Sequence, residues 1–179
     1  LEIEVKAVLH SKEAILSELE KLGLVFDNSE TQTDHVFVEN ASSIPEFYQN
    51  TIFMRIRERA GKQAIFTLKK KRAELASIEH ETEIESVDVL TQILTVLGYP
   101  QALTIKKTRS KKVYNDYTIC IDEVEGLGNF IEVEKLVTDG DINVIQDELF
   151  EFLVSLGIQK EDRILDAYDT LLLKKKFHS

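Results

Sequence analysis

Phe53-Met54-Arg55-Ile56-Arg57-Glu58-Arg59-Ala60-Gly61-Lys62-Gln63-Ala64-Ile65-Phe66-Thr67-Leu68-Lys69 alternates with a period of two. Phe53, Arg55, Arg57 and Arg59 fall on one face, and Met54 and Ile56, with Ile52 before them, fall on the other. After Ala60-Gly61-Lys62, Ala64, Phe66 and Leu68 alternate with Ile65, Thr67, Lys69 and Lys71. Successive side chains of a strand point to opposite faces, so the stretch reads as two strands joined by a tight turn. The same alternation opens the chain: Glu2, Glu4 and Lys6 oppose Ile3, Val5 and Ala7. Further strands are expected over 33–38, 78–85, 103–114, 117–124 and 128–133.

Three amphipathic helices lie between the strands. The first follows Ser11 and ends at Gly23, the second begins near Ser86 and ends at Gly98, and the third follows Asp141 and ends at Gly157. Each ends in Leu-Gly followed by an apolar or aromatic residue (Leu24, Tyr99, Ile158), the composition of a glycine C-cap with its hydrophobic contact. A shorter helix is expected over 164–173. The stretch 40–49, with Pro45, reads as a mobile loop.

One strand with a charged face needs no special explanation, because such a face usually looks at water. About eight strands that all pair a charged face of mixed sign with an apolar face need more. A sheet closed into a barrel uses both faces: helices cover the apolar outside and the charges point into a lumen. The fold class expected is therefore α+β, a closed antiparallel β-barrel of about eight strands with helices packed on the outside, in a single domain over 1–179. Charges crowded in a lumen repel unless counter-charges or a bound metal–anion complex compensate them. A triphosphate carries about four negative charges, Arg and Lys bind its oxygens, and carboxylates hold the divalent metals that bridge them. There is no Gly-x-x-x-x-Gly-Lys-Ser/Thr loop, so the site is not of the P-loop kind.

Composition sets outer limits. The 179 residues are 43% hydrophobic and 30% charged, as in a globular protein. The net charge of −10 opposes binding to nucleic acid or anionic membrane, so a polyanion would need a local cationic cluster. Lys174-Lys175-Lys176 reads as a solvated helix end. No apolar run is long enough to span a bilayer, no signal peptide is read, and the single Cys120 leaves no intrachain disulfide, so a cytoplasmic location is expected. The histidines (His10, His35, His80, His178) carry no clear signal, with His35 expected at an edge. Tyr168 reads as packing.

Glu2-Ile3-Glu4-Val5-Lys6 resembles the Glu-x-Glu-x-Lys signature of the CYTH, or triphosphate tunnel, family. Met54-Arg55-Ile56-Arg57, Phe66-Thr67-Leu68-Lys69, Glu81-x-Glu83 and Lys107-Thr108-Arg109 follow in that family's order. The block from Ile121-Asp122-Glu123-Val124-Glu125-Gly126 to Glu132-Val133-Glu134 resembles its acidic hairpin. The resemblance implies Mg²⁺ or Mn²⁺ on Glu2, Glu4, Asp122, Glu132 and Glu134, with Glu81 and Glu83 as further candidates. It implies phosphate binding by Lys6, Arg55, Arg57, Lys69, Lys107 and Arg109, with Glu2, Glu4 and Lys6 at the catalytic centre. Arg59, Lys71 and Lys111 share the inward parity but fall at strand ends. Within the family, the start Glu-x-Lys-Ala and the Asp-Glu-Val-Glu-Gly-Leu-Gly block resemble the class IV adenylyl cyclases, which implies conversion of ATP to cyclic AMP and pyrophosphate in a homodimer. Hydrolysis of inorganic triphosphate, thiamine triphosphate or a nucleoside triphosphate would use the same residues. A non-catalytic polyphosphate-binding module would keep the cations but could lose the carboxylates.

Overall fold

The computed structural model describes residues 1–39 and 43–177; the start of the expected 40–49 loop and His178 lie outside them. Eight strands form the wall: β1 (Glu2–Val8), β2 (Glu30–Phe37), β3 (Ile52–Arg59), β4 (Lys62–Ala73), β5 (Ala76–Ile84), β6 (Gln101–Tyr114), β7 (Tyr117–Val124) and β8 (Gly128–Leu136). Their order is β5-β4-β3-β2-β6-β7-β8-β1, every neighbouring pair is antiparallel, and β1 returns to β5 to close the ring. The closing seam is short, pairing only Glu2 with Ser77 and Ile3 with Ala76. From Lys6 onward that edge of β1 pairs instead with β9 (Arg163–Ile164).

The period-two reading decides inside from outside. Ile3, Val5 and Ala7 of β1, Ile119 and Ile121 of β7, and Ile131 and Val133 of β8 form one buried cluster on the outer face. α1 (Lys12–Lys21) brings Ile15 and Leu19 to it, and α4 (Ile142–Ser155) brings Leu149, Phe150 and Leu153. On the opposite wall, α3 (Val87–Val96) packs Leu94 and Leu90 over Phe37, Met54, Ile56 and Phe66. The helix ends follow the sequence: the Ser11, Ser86 and Asp141 side chains accept backbone N–H groups in the first turns. Gly23, Gly98 and Gly157 take positive φ, and the amide after each donates to Leu19, Leu94 and Leu153 in turn.

Two local expectations fail. The 40–49 stretch is not all loop, because α2 (Ile44–Gln49) forms with Ser43 as N-cap and Pro45 in the first turn. Proline costs nothing there, since the first amides of a helix have no intrahelical acceptor. Phe47 anchors α2 edge-on against Phe53 at 5.3 Å. The last helix, α5, covers Tyr168–Phe177 rather than 164–173, because Arg163 and Ile164 are drawn out as strand to satisfy the edge that β1 exposes on leaving β5. α5 and α2 lie over one mouth of the barrel. There Tyr168, Leu173 and Phe47 meet the apolar inner ends of the strands at Val36, Ile105, Val124 and Phe130. No helix among the described residues is long and apolar enough to cross a membrane.

Candidate active site

The charged inner faces converge as the closed sheet requires. A cavity of about 260 Å³ runs inside the barrel, lined by Glu2, Glu4, Lys6, Arg55, Arg57, Lys69, Glu81, Lys107, Arg109, Glu132 and Glu134. Asp122 is fully buried just behind Lys107 and Arg109. Glu83 is the exception among the candidates: it lies at the exposed end of β5 and does not reach the cavity. Lys111 does line it, although its strand-end position suggested solvent.

At the centre, Arg109 gathers the carboxylates of the β7–β8 hairpin. Its guanidinium donates to both oxygens of Asp122 (2.7 and 2.5 Å), to Glu134 (3.1 Å) and to Glu132. Lys6 reaches the other oxygen of Glu132 at 3.0 Å and Glu4 at 3.6 Å, and it sits 4.0 Å from the Tyr168 ring centroid. The charges in this knot settle unequally. For Glu132, burial opposes ionisation, but Lys6 and Arg109 outweigh it and hold the carboxyl well below the usual range. Glu4 has less compensation: burial, with Glu132 beside it, pushes it up to about 7. Burial likewise pushes Glu2 up to about 8 despite nearby Lys69. Burial and then the neighbouring Arg109 push Lys107 down to about 8.

Oxygens of Glu4, Glu132 and Glu134 all lie within 4.8 Å of one another, a separation at which one small cation can touch all three. These are hard anionic donors of the kind Mg²⁺ and Mn²⁺ prefer. Glu4 in this cluster, and Glu2 near it, need a positive neighbour for a physical reason, since a buried carboxylate raised to about 7 or 8 is one that lacks counter-charge. The oxygens of Glu132 already accept from Lys6 and Arg109, but each keeps a second lone pair for a metal. The residues fit a divalent ion.

Two of the remaining cations, Arg57 and Lys69, are held by acids that the sequence reading passed over. Asp34 of β2 chelates Arg57 (2.6 and 2.7 Å), and that pairing holds the Asp34 carboxyl far below its ordinary range against burial. Glu79 pairs with Lys69 and accepts from Ser77 at 2.9 Å. Arg55 donates to Thr67 (3.0 Å) and to Glu81 (3.1 Å), so Glu81 serves here as a partner of arginine. Both omissions had a signal: Asp34 lies at the inward parity of Gln32 and Val36, and Glu79 at that of Glu81. Tyr168 had none. It packs against Phe130, as read, but its hydroxyl also donates to Asp122 at 3.0 Å and its ring faces Lys6 and Lys107. His35 is not at an edge; β3 and β6 flank it, and it bonds Glu58 at 2.7 Å on the outer side. In the basic tail, Lys174 bonds Asp166 and Lys175 bonds the Gly126 carbonyl, so it is not merely solvated.

Residues 1–168 match the CYTH domain. The chain belongs to the CYTH family. The chain is similar to other proteins as well. One from Methanocaldococcus jannaschii, named as a candidate adenylate cyclase, is 30% identical over 172 residues, covering 94% of this chain and 96% of that protein. The solved structure of the PH1819 protein from Pyrococcus horikoshii superposes with a TM-score of 0.79 at 30% identity, over 98% of this chain and 99% of that one. A candidate adenylyl cyclase from Hippeastrum, described as having a dominant triphosphatase activity, shares the fold with a TM-score of 0.61 at 19% identity, over 98% and 96% of the two chains.

Proposed function

We propose that this CYTH protein is a metal-dependent enzyme that holds a triphosphate in the barrel and converts ATP to cyclic AMP and pyrophosphate. The observation that carries the reading is one enclosed cavity walled by both a carboxylate cluster and a set of arginines and lysines from distant strands. A metal-free anion site would need only the cations; a metal site alone would need only the acids. Glu2, Glu4, Asp122, Glu132 and Glu134 would hold Mg²⁺ or Mn²⁺. The bound ion would supply charge neutralisation at phosphorus and acidify a coordinated hydroxyl. Lys6, Arg55, Arg57, Lys69, Lys107 and Arg109 would bind phosphate oxygens and stabilise the charge that builds on the departing pyrophosphate. The ribose 3′-oxygen bonds to the α-phosphorus and the bond to the α–β bridging oxygen breaks. The pyrophosphate leaves with that electron pair, and the hydroxyl proton passes to a carboxylate such as Glu4 or Glu2. Residues 1–179 act as one unit in this reading, in the cytoplasm. A homodimer could form through α3, whose Val89, Ile93, Val96 and Leu97 are exposed.

Hydrolysis at the terminal phosphorus of inorganic, thiamine or nucleoside triphosphate is the second reading. The same carboxylates and cations would serve it, and the Hippeastrum protein that shares this fold is described as having a dominant triphosphatase activity, which favours it. Incubation with ATP, inorganic triphosphate and thiamine triphosphate, each with Mg²⁺ or Mn²⁺, separates the two. Cyclic AMP with stoichiometric pyrophosphate supports the cyclase, and orthophosphate alone supports the hydrolase. Binding without turnover in either metal leaves only a polyphosphate-binding module.

A further inference from the structure

Lys107 is 5% exposed and lines the tunnel, yet its ammonium makes no hydrogen bond among the described residues. Its ion-pair partner is Asp122, whose Oδ2 stays 3.6 Å away. Every hydrogen of an ammonium is a donor, and a buried lysine ordinarily closes on such a carboxylate. Here the acceptor is already occupied. A carboxylate oxygen offers about two lone-pair sites, and on Oδ2 both are taken: Arg109 donates at 2.5 Å and the Tyr168 hydroxyl at 3.0 Å. Arg109 also takes the other oxygen, at 2.7 Å.

Tyr168 acts on Lys107 in two ways. It is the first residue of α5, buried, and packed edge-on against Phe130 with ring centroids 5.1 Å apart. Its ring centroid lies 5.2 Å from the Lys107 Nζ. An aromatic face within about 6 Å attracts a cation without using up any of its hydrogen bonds. The ring therefore holds the ammonium in place while the hydroxyl keeps the carboxylate from claiming it. Lys6 faces the same ring at 4.0 Å, but it also bonds Glu132 at 3.0 Å and the Asp166 carbonyl at 3.4 Å. Lys107 has its hydrogens left for a ligand that enters the cavity.

We propose that Tyr168 is a positioning residue that keeps the Lys107 ammonium off Asp122, so that its hydrogen bonds go to a phosphate oxygen of the substrate. The proposal rests on the reading of the tunnel as a triphosphate site, and it holds whether the bond breaks at the α or the terminal phosphorus. Without the hydroxyl a lone-pair site opens on Oδ2, and Lys107 closes the 3.6 Å gap. It must then give up that bond before it can serve a phosphate. Affinity falls, while the ring and its packing stay in place.

The test compares the parent protein with Tyr168→Phe, Lys107→Gln and the double variant, loaded with Mg²⁺, on ATP and inorganic triphosphate. Affinity is read as KM where the compound is turned over, and by calorimetric titration where it is only bound. Tyr168→Phe is expected to weaken both compounds roughly tenfold, the scale of one hydrogen bond to a charged group. The double variant is expected to match Lys107→Gln alone, because the hydroxyl acts through that lysine. Phe130→Leu controls for packing: it removes the neighbour of the ring but leaves the bond to Asp122, so it should lower the melting temperature and keep the parent's affinity. Unchanged affinity in Tyr168→Phe, a loss that multiplies with that of Lys107→Gln, or an equal loss in Phe130→Leu overturns the proposal while the triphosphate reading stands. If the parent neither binds nor turns over either compound, both fall.

Discussion

Glu4→Gln separates a metal ligand from a structural counter-ion by the direction in which stability moves. Glu4 is raised from 4.5 to about 7, chiefly by burial. A carboxyl whose folded pKa lies above its unfolded one keeps its proton in the folded state while the unfolded chain loses it. Stability of the metal-free protein therefore falls as pH rises through the window from 4.5 to about 7. At about 1.4 kcal/mol per tenfold change in proton affinity, the rise from 4.5 to about 7 is worth about 3 kcal/mol. Ionising Glu4 thus costs the fold under about 1 kcal/mol at pH 5 and about 3 kcal/mol at pH 8. Glutamine keeps the shape and cannot ionise. In chelator, Glu4→Gln is expected to melt close to the parent at pH 5 and clearly above it at pH 8, by about 2–4 °C per kcal/mol for a chain of this size. Saturating Mg²⁺ should raise the melting temperature of the parent more than that of the variant, and turnover should be lost. Thermal denaturation at the two pH values, with and without metal, reads all of this. A variant less stable than the parent at pH 8 in chelator would show that Glu4 serves mainly to neutralise Lys6, and the assignment of Glu4 to metal would fail.

Three further outcomes follow from the same geometry. Metal affinity should increase with pH up to about 8, because a cation must displace the protons that burial keeps on Glu2 and Glu4; calorimetric titration with Mn²⁺ at pH 6 and pH 8 measures it, and a flat profile would exclude both as ligands. Arg109→Ala should destabilise the metal-free protein by about 3–5 kcal/mol, since it leaves Asp122, Glu132 and Glu134 facing one another with one cation fewer. Denaturant titration checks this, and a loss below about 1 kcal/mol would mean that water or protonation replaces the guanidinium. Ser86→Ala should cost about 1 kcal/mol through the lost cap on Val89 and leave kcat and KM unchanged, as α3 packs on the outer wall; altered kinetics would couple that helix to the tunnel.

The chain by itself determined what depends on neighbours in sequence. Alternation along Ile52–Arg59 and Glu2–Val8 assigns each residue to the inner or outer face, because a strand's pleat is set by its own backbone. Ser11, Ser86, Asp141 and the Leu-Gly pairs mark helix ends through contacts no more than five residues away. Repetition of one mixed-charge pattern over many strands was enough to call for closure. Tertiary structure alone decided which charge meets which. Asp34 chelates Arg57 only because β2 and β3 pair in the register that sets those two residues side by side, and Lys69 meets Glu79 by the register of β4 with β5. Tyr168 reaches Asp122 across 46 residues of sequence. β1 changes partner from β5 to β9 at the closing seam. Register, closure and the docking of α5 are long-range packing outcomes, and no local periodicity encodes the point at which one strand leaves another.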